Sequence, residues 1–158
     1  MQRNRNEKIR LVVDANAWIS SLLTPEFRSR LEIVFEETYH LIVSEGLFND
    51  LSRAVRKPKL AKIINPTFYG QLVARLRTLG ELVDVHSVVD SCRDPKDNFL
   101  LALAKDGNAD YLITGDKDLQ VMEKFGKTEI VTLSEFEAMA IERRAIERSS
   151  VDKQKPPC

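Results

Sequence analysis

Cysteine and histidine are scarce in this sequence, with two of each among 158 residues. Cys92 falls in a loop-like stretch and Cys158 at the extreme end, which excludes a disulfide framework and a metal-knuckle spacing and leaves two free thiols as the expectation. Glycine and proline are sparse too, six of each, beside 43% hydrophobic and 30% charged residues, which excludes disordered and fibrous classes. Neither sign of charge is in excess. With 24 basic and 24 acidic side chains the chain is not a polyelectrolyte binder of nucleic acid, although local patches can still hold phosphate. No apolar run approaches the roughly 20 residues of a membrane-spanning helix. The basic opening MQRNRNEKIR runs straight into LVVDANAW, without the longer apolar core and small-residue cleavage site of a secretory signal, so a cytoplasmic location is expected. The length suits one domain, expected over residues 8–146, with 1–7 and 147–158 as disordered termini.

What is present is a repeating pattern of short apolar runs separated by helical periodicity. Leu11 to Val13 reads as a buried strand ending at Asp14, and Trp18, Ile19, Leu22 and Leu23 follow at helical spacing. A second helix is expected from Glu26 to about Glu37, then a strand from Tyr39 to Val43. Ser44 suits the N-cap of a helix running toward Pro58, with Leu47, Phe48, Leu51, Ala54 and Val55 on its apolar side and Asp50 at the margin. After a short basic loop come a helix from Pro66 to Leu79 stopped by Gly80 at C′, a strand from Leu82 to His86, and a helix after Asp94. Strands at Ala109–Thr114 and Glu129–Thr132 complete the set, and Ser134 is the expected cap of a last helix that fades into DKQKPPC. Five short, almost continuously apolar strands alternating with helices imply a parallel sheet covered on both faces, an α/β/α sandwich.

The stretch DPKDNFLLALAKDGNADYLITGDKDL concentrates acids at both ends of a helix–strand unit. In open α/β sheets the ligand site lies beyond the carboxyl ends of the strands, where the strand order reverses. With an order of 3-2-1-4-5, Asp14 and Asp116 would be neighbours there, the helix of Asp97 would begin on the same edge, and Asp50 would lean over the cleft. Two carboxylates about 4 Å apart repel by on the order of 4 kcal/mol at an effective dielectric near 20, so such a cluster needs a cation or extra protons. With only His40 and His86 and no clustered thiols, the donors would be hard oxygens, which suit Mg²⁺ or Mn²⁺ and metal-dependent phosphoryl-transfer chemistry.

Each acid also has a purely local explanation. Asp94 before Pro95 fits an N-cap with an N1 proline, and Asp97 would complete a capping-box-like arrangement. Asp14 fits a cap of its own helix, Thr114-Gly115-Asp116 a turn, and Asp50 a solvated helix position. Asp106 and Asp110 lie beside a Gly-Asn loop and are expected to face solvent. Local explanations do not require the principal acids to share one edge of the sheet.

The motifs DANAWIS, SEGLFNDL, DPKDNFLLALA and ADYLITGDKDL resemble those of the PIN-domain ribonucleases, in particular the VapC-like toxins of bacterial toxin–antitoxin pairs. The resemblance spans about Ile9 to Met139 and implies the 3-2-1-4-5 sheet. It implies Asp14, Asp97 and Asp116 as metal-binding acids, and Asp50 as a fourth catalytic acid where the family usually has glutamate. Asn16, Thr114 and Asp118 would orient these ligands or a water, while Ala15 replaces a common threonine and Asp94 stays a helix cap. It further implies Mg²⁺ or Mn²⁺, an RNA substrate, a protein antitoxin and a homodimer or larger homo-oligomer. Arg93, Lys96, Lys117, Arg56, Lys57 and Lys59 are candidate RNA phosphate contacts, or else a solvated basic edge.

Other classes lose specific groups. A haloacid-dehalogenase-type phosphatase would want a second acid where Asn16 stands. A phosphoacceptor receiver would want an aspartate after the third strand, which ends at His86-Ser87, and a lysine after the fifth, where Thr132-Leu133 follows. A weakly catalytic or non-catalytic RNA- or protein-binding module of the same fold stays open, because Asp50 is one methylene shorter than glutamate.

Overall fold

A computed structural model describes residues 7–154, with side chains described through Val151. The sheet is built from β1 (Ile9–Val13), β2 (Tyr39–Val43), β3 (Glu81–Leu82), β4 (Tyr111–Ile113), β5 (Lys124–Phe125) and β6 (Thr128–Val131). Its order is β3-β2-β1-β4-β6-β5, parallel except for the antiparallel β5–β6 pair. Alternation along the strands divides the core between two faces. Leu11, Val13, Leu41, Val43, Ile113 and Val131 belong to one cluster; Val12, Ile42, Leu112 and Ile130 belong to the other.

The first face is covered by α1 (Ala15–Leu23), α2 (Pro25–Leu31), α3 (Glu45–Val55), α5 (Pro66–Leu79) and α8 (Leu133–Gln154), through residues such as Trp18, Leu31, Leu47, Leu51, Leu76 and Phe136. The second is covered by α6 (Pro95–Asp106) and the short α7 (Lys117–Gln120), through Leu100, Leu101, Leu103, Ala104 and Leu119. A one-turn α4 (Pro58–Ala61) links α3 to α5. Three layers result, and the order of the five expected strands is the one expected. Strand order reverses between β1 and β4, whose register pairs Val13 with Ile113, so the chain leaves both strands beside a shared crevice.

Several local expectations are corrected. The third strand is two residues long, not Leu82–His86; beyond Val83, whose N–H donates to the Val43 carbonyl at 2.8 Å, the chain is held by side chains. The Asp106 carboxylate accepts from the backbone N–H groups of His86 and Ser87 at 2.6 and 2.8 Å, so this acid is engaged rather than solvated, and Ser87 draws its pKa below the ordinary value. Asp110 likewise accepts from the Arg10 N–H at 2.8 Å. The second helix ends at Leu31 and tightens into a 3-10 turn over Glu32–Phe35. Gly80 ends α5 in extended backbone, φ −82°, so the expected left-handed cap is absent. Its glycine is required by space, since a β carbon there would sit 2.5 Å from the Leu76 carbonyl oxygen and 2.9 Å from Val43 Cγ2.

The sixth strand, β5, is an edge hairpin too short to show a period. At the last helix Thr132, not Ser134, forms the capping box: its hydroxyl accepts from the Glu135 N–H at 3.0 Å, and the Glu135 carboxylate accepts from the Thr132 N–H at 3.2 Å. That helix runs on to Gln154, through much of the segment expected as a tail, because neither glycine nor proline interrupts it before Pro156. Cys158 lies outside the described residues; Cys92 is a free thiol.

Candidate metal centre

Asp14 continues β1, its backbone N–H donating to the Ile113 carbonyl at 3.0 Å. One carboxylate oxygen accepts from the Asn16 N–H at 3.0 Å and caps α1; the other accepts from the Thr114 hydroxyl at 2.8 Å. Thr114 is buried and saturated: its hydroxyl oxygen also accepts from the Asp116 N–H at 3.0 Å, and its carbonyl accepts from Gln120 Nε2 at 3.1 Å. Asp116 in turn caps α7 through the Asp118 N–H at 2.8 Å. The capping and site readings of these acids are therefore compatible, because an ionised carboxylate offers about four lone-pair sites and Asp14 uses two of them.

On the opposite side of the crevice, Asp94 caps α6 by accepting from the Lys96 N–H at 2.9 Å. Asp97, in the first turn, is turned inward and only 4% exposed, as is Asp14. Asn98 clamps the preceding loop, its amide donating to the Cys92 carbonyl at 2.9 Å and accepting from the Cys92 N–H at 2.8 Å. One carboxylate oxygen from each of Asp97, Asp116 and Asp118 lies within 4.8 Å of the others.

The electrostatics are those of crowded carboxylates. Burial, the negative charge of Asp116 and its hydrogen bond, and then Asp94 and Asp14, push the Asp97 pKa up to about 7. Asp14 is also raised, chiefly by burial; the hydrogen bonds from Asn16 and Thr114 oppose the shift, while Asp116 and Asp50 add to it. Full ionisation of this cluster is unfavourable without a positive partner. The donors are carboxylate oxygens at close range, the set that hard divalent cations prefer, so the residues fit Mg²⁺ or Mn²⁺.

The cleft, about 80 Å³, is bordered by Asp14, Asn16, Asp50, Asp97 and Asp116, with Lys57 and Lys96 among its lining residues. Asp50 thus reaches the site from α3, but its carboxylate is engaged by Arg53 at 2.6 Å. Asp118 pairs with the exposed Arg93 at 3.2 Å. The remaining basic candidates do not border the cleft: Lys59 and Lys117 are exposed, and Arg56 donates to the Ser52 carbonyl at 3.1 Å. Sequence reasoning missed Gln120, Asn98 and Arg53. Arg53 stands at the i,i+3 spacing of a helical ion pair with Asp50, a signal the sequence did carry, whereas Gln120 and Asn98 act through turns that only the folded backbone defines. A larger hollow of about 290 Å³, walled by Trp18, Leu22, Leu31, Phe35 and Phe68 among others, lies along α1 away from the acids and is mostly apolar.

A mostly parallel sheet carrying acids at its switch point defines an α/β protein with an acidic site. The family is given by sequence: the profile of the PIN domain family matches residues 10–118, and the chain belongs to that family. An uncharacterized protein of Methanocaldococcus jannaschii is 28% identical over 122 residues, covering 75% of this chain and 78% of that protein. Among solved structures, a chain from the crystal structure of VapBC2 from Rickettsia felis, bound to a DNA fragment from their promoter, superposes with a TM-score of 0.54. At 11% identity over 77% of this chain and 97% of that one, this is a likeness of fold.

Proposed function

We propose that the chain is a divalent-metal-dependent endoribonuclease that hydrolyses RNA phosphodiester bonds and acts as the toxin of a toxin–antitoxin pair. The observation that carries this reading is the meeting of buried Asp14 and Asp97 with Asp116 at the switch point, with the Asp97 pKa pushed up to about 7. Membership of the PIN domain family supports a nuclease, and the fold likeness to VapBC2 supports the toxin–antitoxin role. In this reading Asp14, Asp97 and Asp116 hold Mg²⁺ or Mn²⁺, Asp118 stands close enough to assist, and Asp50 acts through a water. When bound, the ion supplies charge stabilisation at the scissile phosphate and raises the acidity of the attacking water.

The chain's own contribution is preorganisation. Asn16 and Thr114 fix both oxygens of Asp14 before anything binds, and Thr114 ties the Asp116 backbone to the same hydroxyl. Asp97 keeps a proton over part of the neutral range and gives it up as positive charge enters. Lys57 and Lys96, at the rim, take backbone phosphate oxygens, with Arg56, Lys59, Arg93 and Lys117 further along the strand. The active form is a homodimer or higher homo-oligomer in the cytoplasm, and a protein antitoxin covers the cleft. No described helix is long and apolar enough to cross a membrane.

The test is cleavage of single-stranded RNA by the purified protein. Activity with Mg²⁺ or Mn²⁺, lost in EDTA and abolished by Asp14→Asn and by Asp116→Asn with the circular dichroism spectrum retained, is the expected result. Cleavage that persists in EDTA, or in both variants, overturns it. The Arg53–Asp50 pair favours one second reading, a weakly catalytic or non-catalytic binding module. Asp50→Glu separates the two: a sharp rise from feeble activity identifies a weakened nuclease, and no cleavage by either form favours the module.

A further inference from the structure

α3 and α6 pack on opposite faces of the sheet, the first through Leu47, Phe48 and Leu51, the second through Leu100, Leu101 and Leu103. A sheet keeps such helices a full layer apart, so they can touch only beyond its edge. They do so at Gly46 and Phe99. A β carbon on Gly46 would lie 2.3 Å from Cζ of Phe99 and 2.9 and 3.0 Å from Cε2 and Cε1. The tip of the ring therefore rests where any other residue would carry its side chain.

The backbone does not ask for glycine at this position. Gly46 lies in the first turns of α3 and has no left-handed φ. There alanine would favour the helix more than glycine does. The ring supplies the reason for the glycine. Gly46 is four residues before Asp50 on α3, and Phe99 two residues after Asp97 on α6, so the contact joins the segments that carry two of the acids bordering the cleft.

We propose that the Gly46–Phe99 contact is the spacer that sets the width of the acidic cleft, which makes both of them positioning residues. The inference rests on reading that cleft as a metal centre. Ordinary contact begins near 3.4 Å, so a methyl group at 46 displaces the ring tip by about 1 Å. In a helix the χ1 of phenylalanine is confined to two wells, which limits how far the ring can swing aside. The first turn of α6 is the softer element, because it hangs from an exposed loop by the Asp94 cap and the Asn98 clamp, whereas Leu100 to Ala104 are locked in the core. Relief therefore comes from a shift of that turn, and Asp97 moves with it.

The experiment compares wild type, Gly46→Ala and Gly46→Ala/Phe99→Leu by Mn²⁺ calorimetry, thermal melts and crystal structures. Gly46→Ala is expected to weaken Mn²⁺ binding about tenfold or more while the melting temperature stays within a few degrees, since misplacement of about 1 Å is enough to disable a preorganised site. The shorter side chain in the double variant is expected to restore affinity to within about threefold of wild type. Unchanged affinity in Gly46→Ala, or a double variant no better than the single, overturns the proposal. If the wild type binds no Mn²⁺, the metal reading itself falls, and the separation of Asp50 and Asp97 in the Gly46→Ala crystal decides the spacer: a wider gap supports it and an unchanged gap refutes it.

Discussion

At Asp97 one carboxyl group links the stability of the fold to the proposed chemistry. Its pKa in the folded protein, about 7, lies above the ordinary 3.8, so between these values the native state keeps a proton that the unfolded chain has released. The contribution of Asp97 to the stability of the metal-free protein is therefore fullest at acid pH, falls as pH rises from about 4 toward 7, and levels off above, while the lowered carboxylates Glu81 and Asp106 act only at and below the acid end of that window. Each tenfold difference in proton affinity between the two states corresponds to about 1.4 kcal/mol, so the loss amounts to about a few kcal/mol for so buried a group. Denaturant titrations in EDTA at pH 5 and pH 8 should show this fall. Asp97→Asn should flatten it and leave the protein more stable than wild type at pH 8, because repulsion with Asp116 is relieved. A wild-type profile that does not change with pH would rule out the raised pKa. The identities of the acids were legible in the sequence, because Asp14, Asp97 and Asp116 each follow a strand or open a helix. Their protonation was not, because desolvation and Coulomb energy depend on separations in space among residues far apart along the chain.

Among the elements, those with strong apolar periodicity lie close to where the pattern puts them, and the differences fall at element ends, in the short third and edge strands and in the longer last helix. β3 is two residues long, the Val83 N–H still reaches the Val43 carbonyl, and further along the Asp106 carboxylate, from the far end of α6, holds the backbone N–H groups of His86 and Ser87. Gly80 illustrates a glycine whose role reverses on folding, from an expected left-handed cap to a point of close approach against Val43. Gly80→Ala should consequently cost about 1–3 kcal/mol, in the range of an overpacked core, and a denaturant midpoint equal to wild type would disprove the close approach. The C-terminal helix is anchored by packing near its start and by the Arg144–Glu36 ion pair further along, while its apolar side chains become exposed. Phe136 packs its ring 5.0 Å from that of Tyr39 and 6.1 Å from that of Tyr111, whereas Ile141, Ile146 and Val151 are all more than half exposed. Phe136→Ala is expected to cost about 3–5 kcal/mol. A chain ending at residue 146 should melt within about 2 °C of the full one, in keeping with a folded unit over residues 8–146; a larger drop would assign the last turns a structural role.

For the molecule as a whole, equal numbers of acidic and basic residues mean that RNA cannot be held by a general positive field. Only Lys57 and Lys96 border the cleft among the candidate cations, and single-stranded binding loses about 0.7 in slope per phosphate neutralised. The affinity of the Asp116→Asn variant for a single-stranded RNA should therefore fall with salt at a log–log slope between about −1.4, for the two rim lysines alone, and about −4, for all six candidate cations. Anisotropy titrations giving a slope steeper than about −4 would place the RNA on a larger basic surface. The sequence by itself determined the layered α/β architecture, the acids at the strand ends and the hard-oxygen character of the donors, because strand burial, capping and donor type are properties of short stretches and of composition. Only the tertiary structure decided that Thr114 holds Asp14 and Asp116 to one hydroxyl and that Phe99 lies on Gly46 across the edge of the sheet. Those contacts depend on rotamers and on the approach of elements from opposite faces, which are fixed only when both cores pack.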